Sequence, residues 1–244
     1  MKTILITGAN RGIGFETARQ FSKMGFRVFL GCRSLKDGKK AIDRLNGEGF
    51  GQVEAVEIDL TNQKTIEKAR LEIGTKISSL DILINNAGIT GGWPQATNVD
   101  ISVFKEVYQT NFFGTILVCQ SFMDLVRQSP EPRIVNVSTS LASMTLHNIA
   151  GWKYYQAKGA AYNSSKTALN MYTIHLAYDL RETPFKVNLV DPGYVATDFN
   201  DHAGTDSVEV AAQRIIKVAL LGKEGPTGQF FSEDSSPENG ICPW

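Results

Sequence analysis

The chain has 244 residues, enough for one α/β domain with a sizeable core. Its 25 basic residues balance 25 acidic ones, so no surplus charge points to nucleic acid or an acidic membrane, and the expected partner is a small molecule. Cys32, Cys119 and Cys242 are odd in number and lack metal-ligand spacing, which fits a reducing cytosol and a cytoplasmic protein. No apolar run reaches the ~18 residues of a membrane span.

Apolar runs of strand length recur at Thr3–Thr7, Arg27–Gly31, Val53–Ile58, Ile82–Asn85, Arg133–Ser138, Lys186–Val190 and Gly228–Phe231. Their interiors are nearly continuous in Val, Ile, Leu or Phe, as in parallel strands covered on both faces. The first run, although preceded by Lys2, is too short for a secretory signal. Helical patterns alternate with these strands. Ile13–Met24 stops at Gly25, a C′ glycine, and Asp37–Leu45 places Ala41, Ile42 and Leu45 on one stripe. Asp206-Ser207-Val208-Glu209 reads as the capped start of a helix carrying Ala212, Ile215, Ile216 and Ala219. The alternation predicts a single domain over residues 1–244: a Rossmann fold with a doubly wound, seven-stranded parallel sheet and helices on both faces. One connection breaks the rhythm. About twenty residues separate Ser138 from Ala161, more than an ordinary link needs, and they include Trp152, Tyr154 and Tyr155. They predict an insertion near 143–160 beside the site.

Gly8, Gly12 and Gly14 follow the first strand with spacing G-x3-G-x-G. A turn of this kind brings backbone close to phosphates and opens a helix against a pyrophosphate. Tyr162 and Lys166, four residues apart, point the same way on a helix. An ammonium beside a phenol eases its ionisation. The two elements together indicate hydride transfer from a dinucleotide. Where a carboxylate would hold an adenosine ribose diol, the second strand ends in Cys32. Arg33 follows, and Arg11 lies in the glycine turn. Two guanidinium groups converging on a 2′-phosphate would favour NADPH over NADH.

In chain order, Thr7-Gly8-Ala9-Asn10-Arg11-Gly12-Ile13-Gly14, Asn85-Asn86-Ala87-Gly88, Tyr162-x3-Lys166 and Asp191-Pro192-Gly193 resemble the successive motifs of the short-chain dehydrogenase/reductase family. The insertion, Asn10-Arg11 and the Pro192–Asp198 segment are similar to its monomeric, carbonyl reductase-like branch. The resemblance implies that Tyr162 is the general acid in reduction and that Lys166 both lowers the pKa of the phenol and bonds the nicotinamide ribose. It implies that Asn111 holds a proton-relay water near the lysine. By the same resemblance, Asp59 and Leu60 contact adenine, and Asn86, Ala87 and Gly88 pack on the adenosine ribose. Pro192, Gly193, Val195 and Thr197 approach nicotinamide and pyrophosphate, while Asn10 and Ile13 belong to the cofactor turn. Asp59 as a helix cap is an open alternative. The sequence departs from the family at the carbonyl-positioning serine: Thr139 stands at that register position, and Ser140 follows as the alternative.

Trp93, Tyr194, the aromatic residues of the insertion and Trp244 are candidates for a substrate wall suited to an apolar ketone, aldehyde or quinone. The expected activity is NADPH-dependent carbonyl reduction by a monomer. A reductase of carrier-bound 3-oxoacyl groups and a low-activity NADP-binding regulatory protein are the alternatives. Lys36, Lys39, Lys40, Lys153 and Lys158 form no convincing carrier-docking patch. His147, His175 and His202 share no metal spacing, so no metal is expected.

Overall fold

In the computed structural model of residues 1–244, the strands are β1 (Thr3–Thr7), β2 (Arg27–Cys32), β3 (Val53–Glu57), β4 (Ile82–Asn85), β5 (Arg133–Val137), β6 (Lys186–Val190) and β7 (Phe230–Phe231). They form one parallel sheet in the order β3-β2-β1-β4-β5-β6-β7. The order reverses at β1 and β4, which places a crevice beyond the carboxyl ends of those strands. Asn85 pairs with Asn136 and Val137 with Val190, so Gly8, Asn86, Ser138 and Asp191 all leave the sheet at that edge.

Every residue of β1, β4 and β5 is buried, which explains their unbroken apolar character. Ile4, Ile6, Val28, Leu30 and Val135 pack on one face with Phe21 and Ile215. Leu5, Phe29, Leu83, Ile134 and Val187 pack on the other with Phe122 and Ile73, following the period of two that sets strand faces. The helices supplying these layers are α1 (Gly12–Lys23), α2 (Leu35–Gly47), α3 (Gln63–Gly74), α5 (Thr115–Val126), α7 (Ala160–Asp179) and α8 (Val208–Ala219). α4 (Ile101–Tyr108) runs into α5 through a π-helical turn, Gln109–Gly114, and α6 (Met144–His147) is a single turn inside the insertion.

The sequence expectations need small corrections at three ends. α2 starts at Leu35, before Asp37, because the Ser34 side chain accepts from the Asp37 N–H. Ser207 caps α8, leaving the Asp206 carboxylate to pair with Arg214. β7 covers only Phe230–Phe231, because the Gln229 N–H bonds the Asn188 side chain instead of continuing the ladder. Gly25 stands just past the Met24 cap of α1 with φ 82°, as expected of a C′ residue. No helix is long and apolar enough to cross a membrane.

Candidate active site

The glycine turn is seated directly on the turn after β4. Gly8 has φ 65°, and a Cβ there would lie 2.9 Å from the Ala87 Cα. A Cβ on Gly14 would lie 2.5 Å from the Asn86 Nδ2. That amide donates to the carbonyls of Thr7 (3.0 Å) and Gly8 (3.2 Å), while the Thr7 hydroxyl accepts from the Asn86 and Ala87 N–H groups. Asn86 thus braces the glycine turn, and Ile13 packs on the core. α2, α3, α4 and α8 each begin with a side chain that accepts from their first turn: Ser34, Asn62, Asp100 and Ser207. α1 begins with Arg11, which offers no such acceptor, and has no acidic residue in its first turn. Its open N–H groups suit a pyrophosphate, so a dinucleotide fits this end of the crevice.

The opposite wall is the turn after β6. Pro192 is buried and its carbonyl accepts from Arg214 (2.7 Å); the Gly193 N–H donates to Asp191 Oδ1 (3.0 Å). Asn200 donates to the Val195 carbonyl (3.0 Å) and accepts from the Thr197 N–H (3.2 Å). Thr197 reaches back to the glycine turn: its Cγ2 would lie 3.7 Å from a Cβ on Gly12.

At the adenosine end the structure separates the two arginines. Arg11 reaches across to Asp198 (3.2 Å) instead of converging with Arg33. Arg33 is exposed and makes no ion pair, leaving its guanidinium available to a ligand. Cys32 is buried and turned under α2, its Sγ near the Ser34 carbonyl (3.2 Å), so no carboxylate ends β2. Asp59 is not the cap of α3: Asn62 holds that role, and Asp59 accepts from the Thr61 N–H and hydroxyl. Leu60 is buried against Gly114 of the π turn.

Tyr162 lies in the first turn of α7 and is only 8% exposed. Its ring is edge-on to Trp93 (6.2 Å between centroids) and to Phe199 (5.7 Å). Burial pushes the phenol above its ordinary pKa, and the Asp191 carboxylate acts in the same direction; the Thr139 hydroxyl facing it acts the other way. Ser140 instead faces Asp191. Of the two candidate hydroxyls, Thr139 is the one that faces Tyr162.

Lys166, one turn beyond Tyr162, is buried and donates to the Val137 carbonyl (2.8 Å). Burial lowers it to about 8. At Tyr162 burial is the largest influence, and it acts against ionisation. Gly88 leaves room beside both groups: a Cβ there would lie 3.2 Å from Asn111 Oδ1 and 3.5 Å from Lys166 Nζ. Asn111, in the π turn, is fully buried. Its side chain accepts from the Ile89 N–H and donates to the Ile89 carbonyl (both 2.9 Å) and to the Ser165 hydroxyl (3.0 Å). It ties the loop after β4 to α7 next to Lys166.

The aromatic candidates for the substrate wall have separate neighbours. Trp93, half exposed, faces Tyr162, but Tyr194 turns to Tyr154 (5.9 Å), which meets Trp152 (5.5 Å), which meets His147 (5.3 Å). The insertion is thus an aromatic ladder, fixed by Lys153 on Asp234 and by Lys158 on His147. Trp244 packs on Phe230. Sequence reasoning missed Phe199. The available signal was an aromatic residue immediately after Thr197-Asp198, but spacing in irregular chain does not reveal which side chain meets Tyr162. No cluster of three or more His, Cys, Asp or Glu is placed to hold a metal.

Residues 2–207 match the family model described as short chain dehydrogenase. A short-chain dehydrogenase, anuI, from Penicillium roqueforti is 33% identical over 97% of this chain and 94% of the relative. A (+)-neomenthol dehydrogenase from Arabidopsis thaliana is 31% identical over 96% of this chain and 97% of its own. The solved structure of salutaridine reductase from Papaver somniferum superposes with a TM-score of 0.83 at 28% identity, covering 95% of this chain and all of that one. The chain belongs to the short-chain dehydrogenase/reductase family, and it is an oxidoreductase of that family.

Proposed function

We propose that this chain reduces ketones, aldehydes or quinones with NADPH, with Tyr162 giving the proton. The observation that carries the reading is Tyr162 itself, a nearly buried phenol with the Thr139 hydroxyl before it and two aromatic edges beside it. The glycine turn and the 193–197 turn would hold the dinucleotide, which when bound would supply the hydride. Its raised pKa keeps Tyr162 protonated at neutral pH, the state a proton donor requires. Thr139 gives a second hydrogen bond to the same carbonyl oxygen as negative charge grows there. Lys166, still largely protonated at pH 7, places a positive charge one helical turn from the developing phenolate. Asn111 holds Ile89 and Ser165 around that lysine.

Trp93 and Phe199 suit a flat, apolar carbonyl compound. The buried Cys32 and the free Arg33 support NADPH over NADH, since nothing repels a 2′-phosphate and one guanidinium is ready to bind it. The kinship with a salutaridine reductase supports the reductive direction. In this reading the chain works as a monomer in the cytosol, on a small-molecule substrate, with the insertion over the N-terminal end of α7. The test follows the absorbance of NADPH and, separately, NADH with a panel of aromatic ketones, aldehydes, diketones and quinones. Consumption of NADPH with several of them is expected. Turnover with NADH alone, or with neither cofactor, would overturn the reading.

A further inference from the structure

Gly159 is the N-cap of α7 and offers no capping side chain, although α2, α3, α4 and α8 are capped by Ser34, Asn62, Asp100 and Ser207. Its backbone does not require glycine: φ −87° and ψ 90° are extended, a conformation open to other residues. A serine would be preferred at such a position. What excludes a side chain is the Trp93 indole. A Cβ on residue 159 would lie 2.6 Å from the indole Cζ3 and 2.7 Å from its Cε3, well inside the ordinary separation of carbon atoms. The next atom, Asn163 Oδ1, would be 3.3 Å away.

Trp93 is delivered by the loop after β4. It follows Gly91 and Gly92, whose φ values are 69° and 76°, and Gly91 is pressed on α4, where a Cβ would lie 2.5 Å from Val107 Cγ2. The two left-handed glycines turn the chain sharply, and the indole bridges from this loop to the start of α7. Residues 159 and 162 lie on one face of that helix, so the ring that rests on Gly159 is also edge-on to Tyr162. Phe199, the other aromatic neighbour of the phenol, sits on a turn closed by reciprocal bonds between Thr197 and Asn200. Since Tyr162 is nearly buried, a carbonyl compound must reach it past these rings.

We propose that Gly159 is a specificity-determining residue: its missing side chain is the seat of the Trp93 indole, and the seated ring raises the preference for flat aryl ketones over saturated ketones of the same size. The inference rests on the carbonyl-reductase reading above and deepens it by naming the substrate class. An aryl ring beside an aromatic side chain gains an interaction that a saturated ring does not.

The test compares kcat/KM for acetophenone with kcat/KM for cyclohexyl methyl ketone, with NADPH as donor, in wild type, G159A, G159S, W93A and G159A/W93A. The added Cβ must displace the indole by about 1 Å, and G159A should lower the acetophenone-to-cyclohexyl ratio about ten-fold. G159S should do the same, because it carries the same Cβ while restoring a capping hydroxyl; this separates a displaced ring from a weakened helix start. W93A should lower the ratio as far, and G159A should add nothing once the ring is gone. An unchanged ratio in G159A and G159S, or an equal further loss in the W93A background, would overturn the proposal. If the wild type turns over none of the panel, the function reading has failed by itself, and the seat is read without turnover. The emission of Trp93 is taken as the difference between each protein and its W93F counterpart. In G159A it should move to the red and be quenched more strongly by acrylamide; coincident spectra and quenching would overturn the inference.

Discussion

The wall of the cleft built on β1 and β4 is made of backbone. Gly8 lies against Ala87, Gly14 against Asn86, and the Asn86 amide is spent on main-chain carbonyls. The wall built after β5 and β6 is made of side chains: Thr139 and Ser140 facing opposite ways, Tyr162 between Trp93 and Phe199, and Asp191 beneath them. Backbone packed this closely admits no added atoms and suits a ligand common to a whole family. Side chains on short loops can be exchanged with less damage to the sheet. The difference predicts that damage on the first side appears as lost folding or cofactor affinity, and damage on the second as lost turnover.

The largest effect should come from the side-chain wall. Y162F removes the proton donor and is expected to lower kcat by about 10³-fold, with NADPH affinity within a few-fold of wild type. Steady-state rates and a cofactor titration check both halves. Tight binding without turnover would sharpen the comparison, whereas lost binding would break it.

G8A strikes the other wall. The new Cβ must adopt a left-handed φ and meet the Ala87 Cα, a backbone atom that cannot move alone. A cost of about 2–3 kcal/mol is expected, read as a lower denaturation midpoint together with weakened NADPH binding. Unchanged stability would show that the two turns are less firmly seated on each other.

A smaller effect separates the arginines. R33A should weaken NADPH binding about ten-fold without changing NADH binding, because one charge-assisted contact to the 2′-phosphate is lost. R11A should do less, since Arg11 is already engaged by Asp198. Equal losses would restore the expectation that both guanidinium groups converge.

The smallest effect concerns pH. Lys166 has its pKa lowered by burial to about 8, so its charge disappears as pH rises through that value and reduction should decline above it. K166R, whose guanidinium stays charged, is expected to flatten this limb by a few-fold at about pH 9, although from a lower rate. Stability gives an independent check with a defined sign. Between pH 8 and the ordinary lysine value of 10.5, the unfolded chain binds more protons at this position than the folded one, so the contribution of Lys166 to stability rises with pH. Denaturant midpoints measured across this window in wild type and K166M read it directly.

How much was legible differed between the two walls. The sheet and its order of elements could be read because β1, β4 and β5 are buried on both faces and therefore carry continuous apolar runs. The glycine turn and the Tyr162/Lys166 pair were legible because local backbone rules determine them: a left-handed or crowded position requires glycine, and helical spacing brings residues four apart together. Register along β5 offered Thr139 ahead of Ser140, because alternation is a local rule. The partner of Arg11, the contact of Phe199 with Tyr162, the bonds of Asn111 to Ile89 and Ser165, and the effect of burial on Tyr162 were not legible. Each depends on groups far apart in the chain, and no local pattern constrains their meeting. The sequence by itself determined the family, the strand-helix rhythm and the pairing of Tyr162 with Lys166 on one helix. Only the tertiary structure decided that both groups of that pair are buried, each pushed toward its neutral form, because burial exists only once the core has closed around them.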